Sequence, residues 1–226
     1  MKLADVADRV AGIPHMTPQQ GQVMYEFIMR ARPRRILELG FAHGVSACHM
    51  AAALDELGGA RHVVTIDTRH ALQRRPPITE LLARCELGHL VTPIFADTSY
   101  TWELMRMLGK DPPPSFDFVY VDGAHRWDPD GFAFLLADRM LAPGGWMLFD
   151  DLDWTLAESP SLRDEEWVRE LPAEQRTTPQ VRRIFDLLVR THPDYTDLQK
   201  DNGWGWARKK PYRPAGAFPW PAPGGD

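Results

Sequence analysis

FDFVYVDGAH at residues 116–125 and GGWMLFDD at residues 144–151 each read as a buried strand that ends in acidic residues. Short apolar runs bounded by glycine or proline are typical of strands in a parallel sheet. The carboxyl ends of parallel strands meet at one edge, where open α/β sheets bind their ligands. We therefore expect Asp122, Asp150 and Asp151 to lie close together at that edge, with His125 beside them.

These three carboxylates have the chemistry of a metal site. Hard divalent cations such as Mg²⁺ prefer oxygen ligands, and three clustered carboxylates without a cation would repel one another and raise one another's pKa. Consecutive strand residues point to opposite faces, so Asp150 and Asp151 can share an ion only if the strand ends or bends between them. We predict that bend. The alternative is that the acidic pair only begins a solvated loop.

The length and composition favour a single domain. With 226 residues, of which 44% are hydrophobic, the chain can bury one substantial core. A net charge of -5 argues against a broad nucleic-acid surface, and no apolar run approaches the roughly 18 to 20 residues that cross a bilayer. Cys48 and Cys85 have neither zinc-site nor disulfide spacing. We expect a cytoplasmic protein with both thiols reduced and buried, and with no nucleic-acid or membrane partner.

Strand and helix patterns alternate along most of the chain, which predicts an α/β fold with helices on both faces of a mostly parallel, doubly wound sheet. Asn202-Gly203 between two short strand patterns is a hairpin signal, so the seven-stranded sheet should end in an antiparallel pair. Strands are predicted at residues 35–39, 62–66, 90–96, 116–121, 145–149, 195–199 and 204–208. Helices are predicted at residues 45–57, 79–87, 99–108, 130–140 and 179–191.

Three segments fall outside this alternation. Residues 1–34 predict a helical N-terminal segment, and residues 152–178, which are acidic and punctuated by proline, predict a lid or substrate loop. Residues 211–226 are too rich in proline and glycine to fold alone, so we interpret them as a tail or as an arm on a neighbouring subunit. Residues 1–210 should form the single domain.

RILELGFAHG at residues 35–44 predicts a strand, a glycine turn and the start of a helix, where backbone amides can receive a ligand. Ala42 stands where a dinucleotide-binding GxGxxG motif needs its second glycine, which disfavours a pyrophosphate. Glu38 suits a cationic amino group instead. Asp67 ends the second strand, where a carboxylate can accept ribose hydroxyl hydrogens, and Asp97 ends the third, where it could hold a purine amino group.

These motifs resemble those of the class I S-adenosylmethionine (SAM)-dependent methyltransferases. ELGFAHG is similar to their first motif, Asp67 to their ribose-binding acid, and ADTS at residues 96–99 to their adenine-side motif. MTPQQGQVMYEFI upstream, with VDGAH and FDD downstream, looks more narrowly like the metal-dependent small-molecule O-methyltransferases of the catechol and macrolide-sugar type. The resemblance spans roughly residues 17–208 and implies a Rossmann-like fold.

The resemblance also implies residue roles. Asp122, Asp150 and Asp151 would hold Mg²⁺, and His125 would be the general base that removes the proton of the acceptor. The alternative for His125 is a loop histidine that a backbone carbonyl satisfies. SAM would be bound by Thr17, Glu38, Gly40, Ala42, Gly44, Ser46, Asp67, Thr68, Asp97, Thr98 and Asp122, with Gln20 near its methionine end.

The expected activity is therefore Mg²⁺-dependent transfer of a methyl group from SAM to a hydroxyl of a small molecule. The catechol enzymes usually carry lysine at the position of His125 and an Asp-Asn pair as the later ligands, so the acceptor is expected to be a natural-product sugar or phenol. Dimers are frequent in the family, which leaves a homodimer open. Two alternatives also stay open: a non-catalytic SAM-binding subunit, and a nicotinamide-dependent oxidoreductase, which Ala42 and Glu38 disfavour.

Overall fold

The computed structural model describes residues 1–211, in which seven strands form one sheet. The strands are β1 (Arg35–Leu39), β2 (His62–Thr68), β3 (Val91–Ala96), β4 (Phe116–Val121), β5 (Leu141–Phe149), β6 (Tyr195–Asp201) and β7 (Trp204–Lys209). Their order is β3-β2-β1-β4-β5-β7-β6. Strands β1 to β5 pair in parallel, whereas β7 is antiparallel to β5 and β6. The predicted Rossmann-like sheet with a C-terminal antiparallel hairpin is thus confirmed.

The helices lie between and around these strands. They are α1 (Leu3–Arg9), α2 (Pro18–Ala31), α3 (Val45–Leu57), α4 (Ile78–Arg84), α5 (Tyr100–Leu108), α6 (Trp127–Asp138), α7 (Glu166–Arg169), α8 (Ala173–Thr177) and α9 (Gln180–Ile184). Short 3₁₀ turns cover Arg69–Gln73 and Gly88–Leu90, and a π-helical turn over Phe185–Val189 extends α9. The tail predicted over residues 211–226 lies, apart from Pro211, outside the described residues.

The strands divide their side chains between two apolar clusters, one on each face of the sheet. In β4, Phe118 and Tyr120 join the cluster under α1 to α4, whereas Val119 and Val121 join the cluster under α5, α6 and α9. This alternation is the period-two pattern of a strand. Because both faces of the central strands are apolar and covered, a cleft with polar walls can form only at their ends; the edge strand β6, in contrast, exposes most of its residues.

Two elements start more than one residue away from the predicted position, and several others end one to three residues away from it. Helix α6 begins at Trp127 rather than at residue 130, so Asp130 lies in its first turn, where it accepts hydrogen bonds from the Ala124 and Arg126 amides that precede the helix. Strand β5 begins at Leu141 rather than at residue 145, with an irregularity in its pairing to β4. The predicted lid over residues 152–178 contains the short helices α7 and α8.

The hairpin turn and the two cysteines agree with the sequence predictions. Asn202 and Gly203 have φ values of 50° and 80°, as the predicted two-residue hairpin turn between β6 and β7 requires. Cys48 and Cys85 are free and buried. Among residues 1–211, none of the helices combines the length and apolar character that crossing a lipid bilayer requires.

Gly40 sets the spacing between β1 and β4 at the carboxyl edge of the sheet. Its φ is +88°, its amide donates to the Ile66 carbonyl at 2.8 Å, and a Cβ atom at this position would lie 1.8 Å from the Asp122 carbonyl oxygen. The glycine therefore serves both the turn conformation and the close approach of the next strand end.

Gly40→Ala should destabilise the fold more than Gly59→Ala does. Gly59 also has a positive φ, 78°, but a Cβ there would meet nothing within 4 Å. Gly59→Ala, the control, should lower the free energy of unfolding by about 1 kcal/mol through conformational strain alone. Gly40→Ala should lower it by about 1 to 3 kcal/mol more, because the backbone of Asp122 must move. Urea unfolding of both variants measures the difference. Equal losses would show that β4 does not constrain Gly40.

Candidate active site

A cleft of about 720 Å³ opens at the carboxyl ends of β1, β2, β4 and β5. The N-terminal segment, the glycine turn after β1 and the loops after β2, β4 and β5 all contribute to its walls. A larger cleft, of about 1040 Å³, lies among other residues and includes none of the predicted site residues. The predicted residues that line the smaller cleft are Thr17, Gln20, Gly40, Ala42, Ser46, Asp67, Thr68, Asp122, His125, Asp150 and Asp151.

Asp67 fixes the glycine turn. One of its carboxylate oxygens accepts hydrogen bonds from the Phe41 amide at 3.0 Å and the Ala42 amide at 2.8 Å, and the other accepts from the Thr68 amide at 2.6 Å. Ala42 has a φ of 46°, so the turn is in the left-handed region there. These bonds place Asp67 at the cleft wall and show a structural task in addition to the predicted ribose contact, which stays a prediction.

Glu38 lies beneath the glycine turn rather than in the cleft. It is fully buried and accepts hydrogen bonds from the Ser46 hydroxyl and, at 2.5 Å, from the Thr65 hydroxyl. Burial raises its pKa from the ordinary 4.5 to about 7, and the charge of Asp67 adds to the shift, while the two hydroxyl donors oppose it. The structure therefore does not bring Glu38 to a position where it faces the cleft.

The other predicted cofactor residues divide between the walls of the cleft and the exposed surface beyond β3. Thr17 caps α2 reciprocally with Gln20, since each side chain accepts a hydrogen bond from the other residue's amide. Gly44 has a φ of +91° and lies against Ile78. Asp97 and Thr98, in contrast, are exposed beyond β3, where Asp97 pairs with Arg69, and the structure does not bring them into the cleft.

The predicted bend between Asp150 and Asp151 is confirmed. Strand β5 ends at Phe149, and Asp151 has a φ of 54°. The bend turns Asp151 toward His125, whose Nε2 lies 3.7 Å from Asp151 Oδ2 and 3.9 Å from Asp122 Oδ1. Ligand atoms of Asp122, His125 and Asp151 lie within 4.8 Å of one another, close enough for one ion to touch all three.

Asp150 lies beside this group and is held by three hydrogen bonds. Its Oδ1 accepts hydrogen bonds from the Trp204 indole nitrogen at 2.6 Å and from the Asp151 amide at 2.7 Å, and its Oδ2 accepts one from the Tyr120 hydroxyl. The carboxylate is buried. Asp150 nevertheless lines the same cleft as Asp122 and Asp151, and its charge raises the pKa of Asp122, so the predicted metal site of three carboxylates stays a prediction.

The electrostatics of the site match the expected repulsion between carboxylates. Burial raises the pKa of Asp122 well above its ordinary value, and the charges of Asp150, Asp151 and Glu38 raise it further, while the hydrogen bond from Tyr120 lowers it. Burial and then the charge of Asp151 also raise the pKa of Asp150. A cation at the cleft would remove much of this destabilisation.

His125 is held by its own loop. The Tyr100 hydroxyl and Asp130 bond to each other, and both accept from the Ala124 amide, while Asp130 also accepts from the Arg126 amide. His125 itself has a φ of 54°, and its ring lies 5.0 Å from that of Trp154. The fixed loop and the flanking ring leave little freedom for the imidazole.

Sequence reasoning missed two histidines and an arginine in the cleft wall. His15 and His43 stack with ring centroids 5.6 Å apart, and His43 Nδ1 lies 2.9 Å from the Pro76 carbonyl oxygen. Burial lowers the pKa of His15, and the charge of Arg74 lowers it further. His43 lies inside the ELGFAHG motif and so carried a signal, whereas nothing in the sequence ties His15 or Arg74 to that turn.

Glu38→Gln should change how stability depends on pH. Below pH 4.5 both the folded and unfolded states hold the Glu38 proton; between 4.5 and about 7 only the folded state does, so the wild type loses stability as pH rises through this window. Glutamine does not ionise, so the variant avoids this loss. Its free energy of unfolding should rise by on the order of 3 kcal/mol relative to that of the wild type by pH 8. Urea unfolding from pH 4.5 to 8 measures this, with exposed Glu80→Gln as the control. A pH-independent difference would contradict a raised pKa.

Comparisons with known proteins agree with this arrangement. A family profile described as "Methyltransferase domain" matches residues 37–152, just over half of the chain. Among curated proteins no match is found.

Solved structures share the fold at low sequence identity. An O-methyltransferase from Bacillus cereus in complex with SAH has a TM-score of 0.67 at 19% identity over 93% of this chain and 92% of its own. The O-methyltransferase TomG from Streptomyces achromogenes, in complex with SAM, has a TM-score of 0.64 at 21% identity over 92% and 89%. With its glycine turn, its acidic strand ends and the family profile spanning both, the chain belongs to the methyltransferase-domain family.

Proposed function

We propose that this protein transfers a methyl group from SAM to a hydroxyl oxygen of a small molecule with the help of a divalent cation. The observation that carries the proposal is the convergence of Asp122, His125 and Asp151 beside the glycine turn in one cleft. Two structural neighbours are O-methyltransferases in complex with SAM or SAH, which supports the same use of the cleft. SAM supplies the methyl group on a positively charged sulfur.

The cofactor half of the cleft would be formed by residues that the scaffold already holds in place. The backbone of the glycine turn at Gly40 and Ala42 leaves room for close approach, and Asp67 and Thr68 line the same wall. Thr17 and Gln20 close it from the N-terminal segment. Glu38 would act indirectly, by holding Ser46 and Thr65 under the turn.

The residues present fit a divalent cation. Asp122 and Asp151 present oxygen atoms to the cleft, and burial, followed by the charges of Asp150, Asp151 and Glu38, raises the pKa of Asp122. A cation would oppose this shift. Mg²⁺ is commonly held by only one or two carboxylates, with water in the other positions, so Asp122 and Asp151 suffice. When bound, such an ion would polarise the acceptor hydroxyl and lower its pKa.

His125 would take the proton of the acceptor. Its Nε2 lies 3.7 Å from Asp151 Oδ2 and 3.9 Å from Asp122 Oδ1, so the imidazole nitrogen lies beside the two proposed ligands. Trp154 and the fixed loop hold the ring in place. The competing arrangement makes His125 a third ligand, in which case Nε2 could not also accept the proton.

The acceptor would lie between His125 and the segment 152–178. Trp154, Ser159, Ser161 and Leu162 from this segment line the cleft, so they offer one aromatic wall and two hydroxyls. This mixture suits a natural-product phenol or sugar. Incubation with SAM, Mg²⁺ and a panel of phenols and sugars, with SAH release as the readout, tests the activity. SAH binding without turnover on any member would instead support a non-catalytic subunit.

Asp151→Gly should weaken binding of Mn²⁺, used as a spectroscopic probe for Mg²⁺, by at least about tenfold. Glycine keeps the positive φ of 54° and removes the oxygen ligand, whereas asparagine would still offer an amide oxygen. Calorimetric titration with saturating SAH measures the affinity. Asp153→Gly is the control, since Asp153 is exposed and pairs with Arg182; it should leave Mn²⁺ affinity unchanged. An Asp151 variant that binds Mn²⁺ as wild type does would contradict the assignment.

His125→Asn should lower kcat by about 10² to 10⁴ while Mn²⁺ and SAH affinities stay near the wild-type values. Asparagine tolerates the positive φ of 54° at this position, so the loop should keep its shape. His89→Asn, an exposed histidine outside the cleft, is the control. Loss of Mn²⁺ affinity in the His125 variant would make it a ligand instead of the base.

A further inference from the structure

Arg74 is the only lysine or arginine among the described residues that line the cleft. Its backbone is fixed in the loop after β2, where its amide donates to the Ala71 carbonyl at 3.2 Å and its carbonyl accepts from the Arg75 guanidinium at 2.8 Å. Within residues 1–211, its own guanidinium is bonded to no carboxylate or carbonyl. The cleft therefore holds a permanent positive charge that this part of the chain does not neutralise.

Two stacked histidines form the wall next to Arg74. His43 Nδ1 lies 2.9 Å from the carbonyl oxygen of Pro76, two residues beyond Arg74, so the His43 ring is held against the same loop. His15 stacks on this ring with centroids 5.6 Å apart. Because His43 is only 6% exposed, it gives the exposed His15 ring a fixed support at the mouth of the cleft.

The charges that act on His15 relate Arg74 to the acidic end of the cleft. Partial burial lowers the pKa of His15, and the charge of Arg74 lowers it further, followed by the charges of His43 and His125. The charge of Asp151 raises it. Interactions between exposed charges are largely screened beyond about 10 Å, so Arg74 and Asp151 both lie near His15. A small molecule beside His15 can therefore approach both.

We propose that Arg74 is a specificity-determining residue that binds a carboxylate of the methyl acceptor, so the acceptor is a hydroxylated acid and not a neutral molecule. The inference rests on the proposed function for the identity of the reaction. The acceptor hydroxyl would lie beside His125 and Asp151, and its carboxylate at the mouth, between Arg74 and His15. A guanidinium presents paired N–H donors that match two carboxylate oxygens, and a neutral imidazole keeps one N–H donor.

The carboxylate of the SAM methionine is the competing partner for Arg74. Exposure favours the acceptor, because Arg74 and His15 are exposed at the mouth, whereas the proposed cofactor residues Gly40, Ser46 and Thr68 are buried or half-buried. SAH carries the same methionine carboxylate as SAM. The affinity for SAH in the absence of an acceptor therefore measures the competing use directly.

Matched acids and amides test the proposal, because each pair differs in charge and hardly in shape. In calorimetric titrations with Mn²⁺ and SAH present, the wild type should bind protocatechuate over its amide, or glucuronate over glucuronamide, by at least about fivefold. The pair that shows the preference identifies a phenolic acid or a sugar acid as the acceptor class. Equal affinities within both pairs, or no binding of either acid, would overturn the proposal.

Variants at Arg74 show whether this residue causes the preference. Arg74→Met should abolish it and leave SAH affinity unchanged, while Arg74→Lys should keep part of it, since lysine retains the charge but not the paired donors. Arg84→Met is the matched control, because Arg84 is exposed, pairs with Glu80 on α4 and does not line the cleft. A preference that survives in Arg74→Met, or that is lost equally in the control, rejects the assignment. A fall in SAH affinity of about fivefold or more in Arg74→Met would assign Arg74 to the cofactor instead.

Failure of the proposed function would give a different result. Release of SAH from SAM in the presence of each acid and amide measures the reaction itself. If the acids bind through Arg74 and none is methylated, the acid site is supported and methyl transfer to these hydroxyls is rejected. If only the neutral amides are methylated, the proposed function stands and the acid site is overturned.

Discussion

The placement of this site depends on how the protein stabilises acidic side chains that its strands bring to one edge. Most of them are satisfied from inside: Glu38 by two hydroxyls, Asp67 by three amides, and Asp150 by Tyr120, Trp204 and an amide. Within residues 1–211, the Asp151 carboxylate is paired only with His125, at 3.7 Å. Asp122 and Asp151 receive fewer hydrogen bonds than these acids, so they have the most acceptor capacity left for a ligand in the cleft.

Short-range patterns were enough to predict the scaffold. The apolar strands, the glycine turn and Asn202-Gly203 predicted all seven strands, the mostly parallel sheet and its antiparallel hairpin, because each signal depends on neighbours in the chain. The bend at Asp151 was also predictable, since the alternation of strand side chains leaves no other way to bring two consecutive acids to one edge. Hydrogen bonds between residues that are far apart in the chain could not be predicted from such local patterns. Nothing in FDD reveals that Trp204 will donate to Asp150.

Glu38 shows the same limit in another form. A carboxylate before a glycine turn suggests a ligand contact, yet in the structure the side chain points beneath the turn, toward Ser46 and Thr65. Strand periodicity shows which residues share a face of the sheet, but it does not show which side chains from other elements will bond to Glu38. Tyr120 was the clue that the sequence did contain: it lies two residues before Asp122, on the same face, and a buried tyrosine hydroxyl usually needs a polar partner. Its bond to Asp150, however, requires the neighbouring strand.

The same electrostatics would link binding of the proposed cation to protonation and to the rigidity of the site. A cation requires Asp122 to be ionised, but burial and the neighbouring acids raise its pKa, so binding must displace a proton over part of the pH range. This cost stays moderate only if the carboxylates do not have to be rearranged as well. The buried donors to Asp150 and the capped loop of His125 fix the positions of the site residues in the folded core. Because the site residues are already in place, binding of the proposed cation would not also have to order the chain, and its free energy would be opposed mainly by the displacement of the proton.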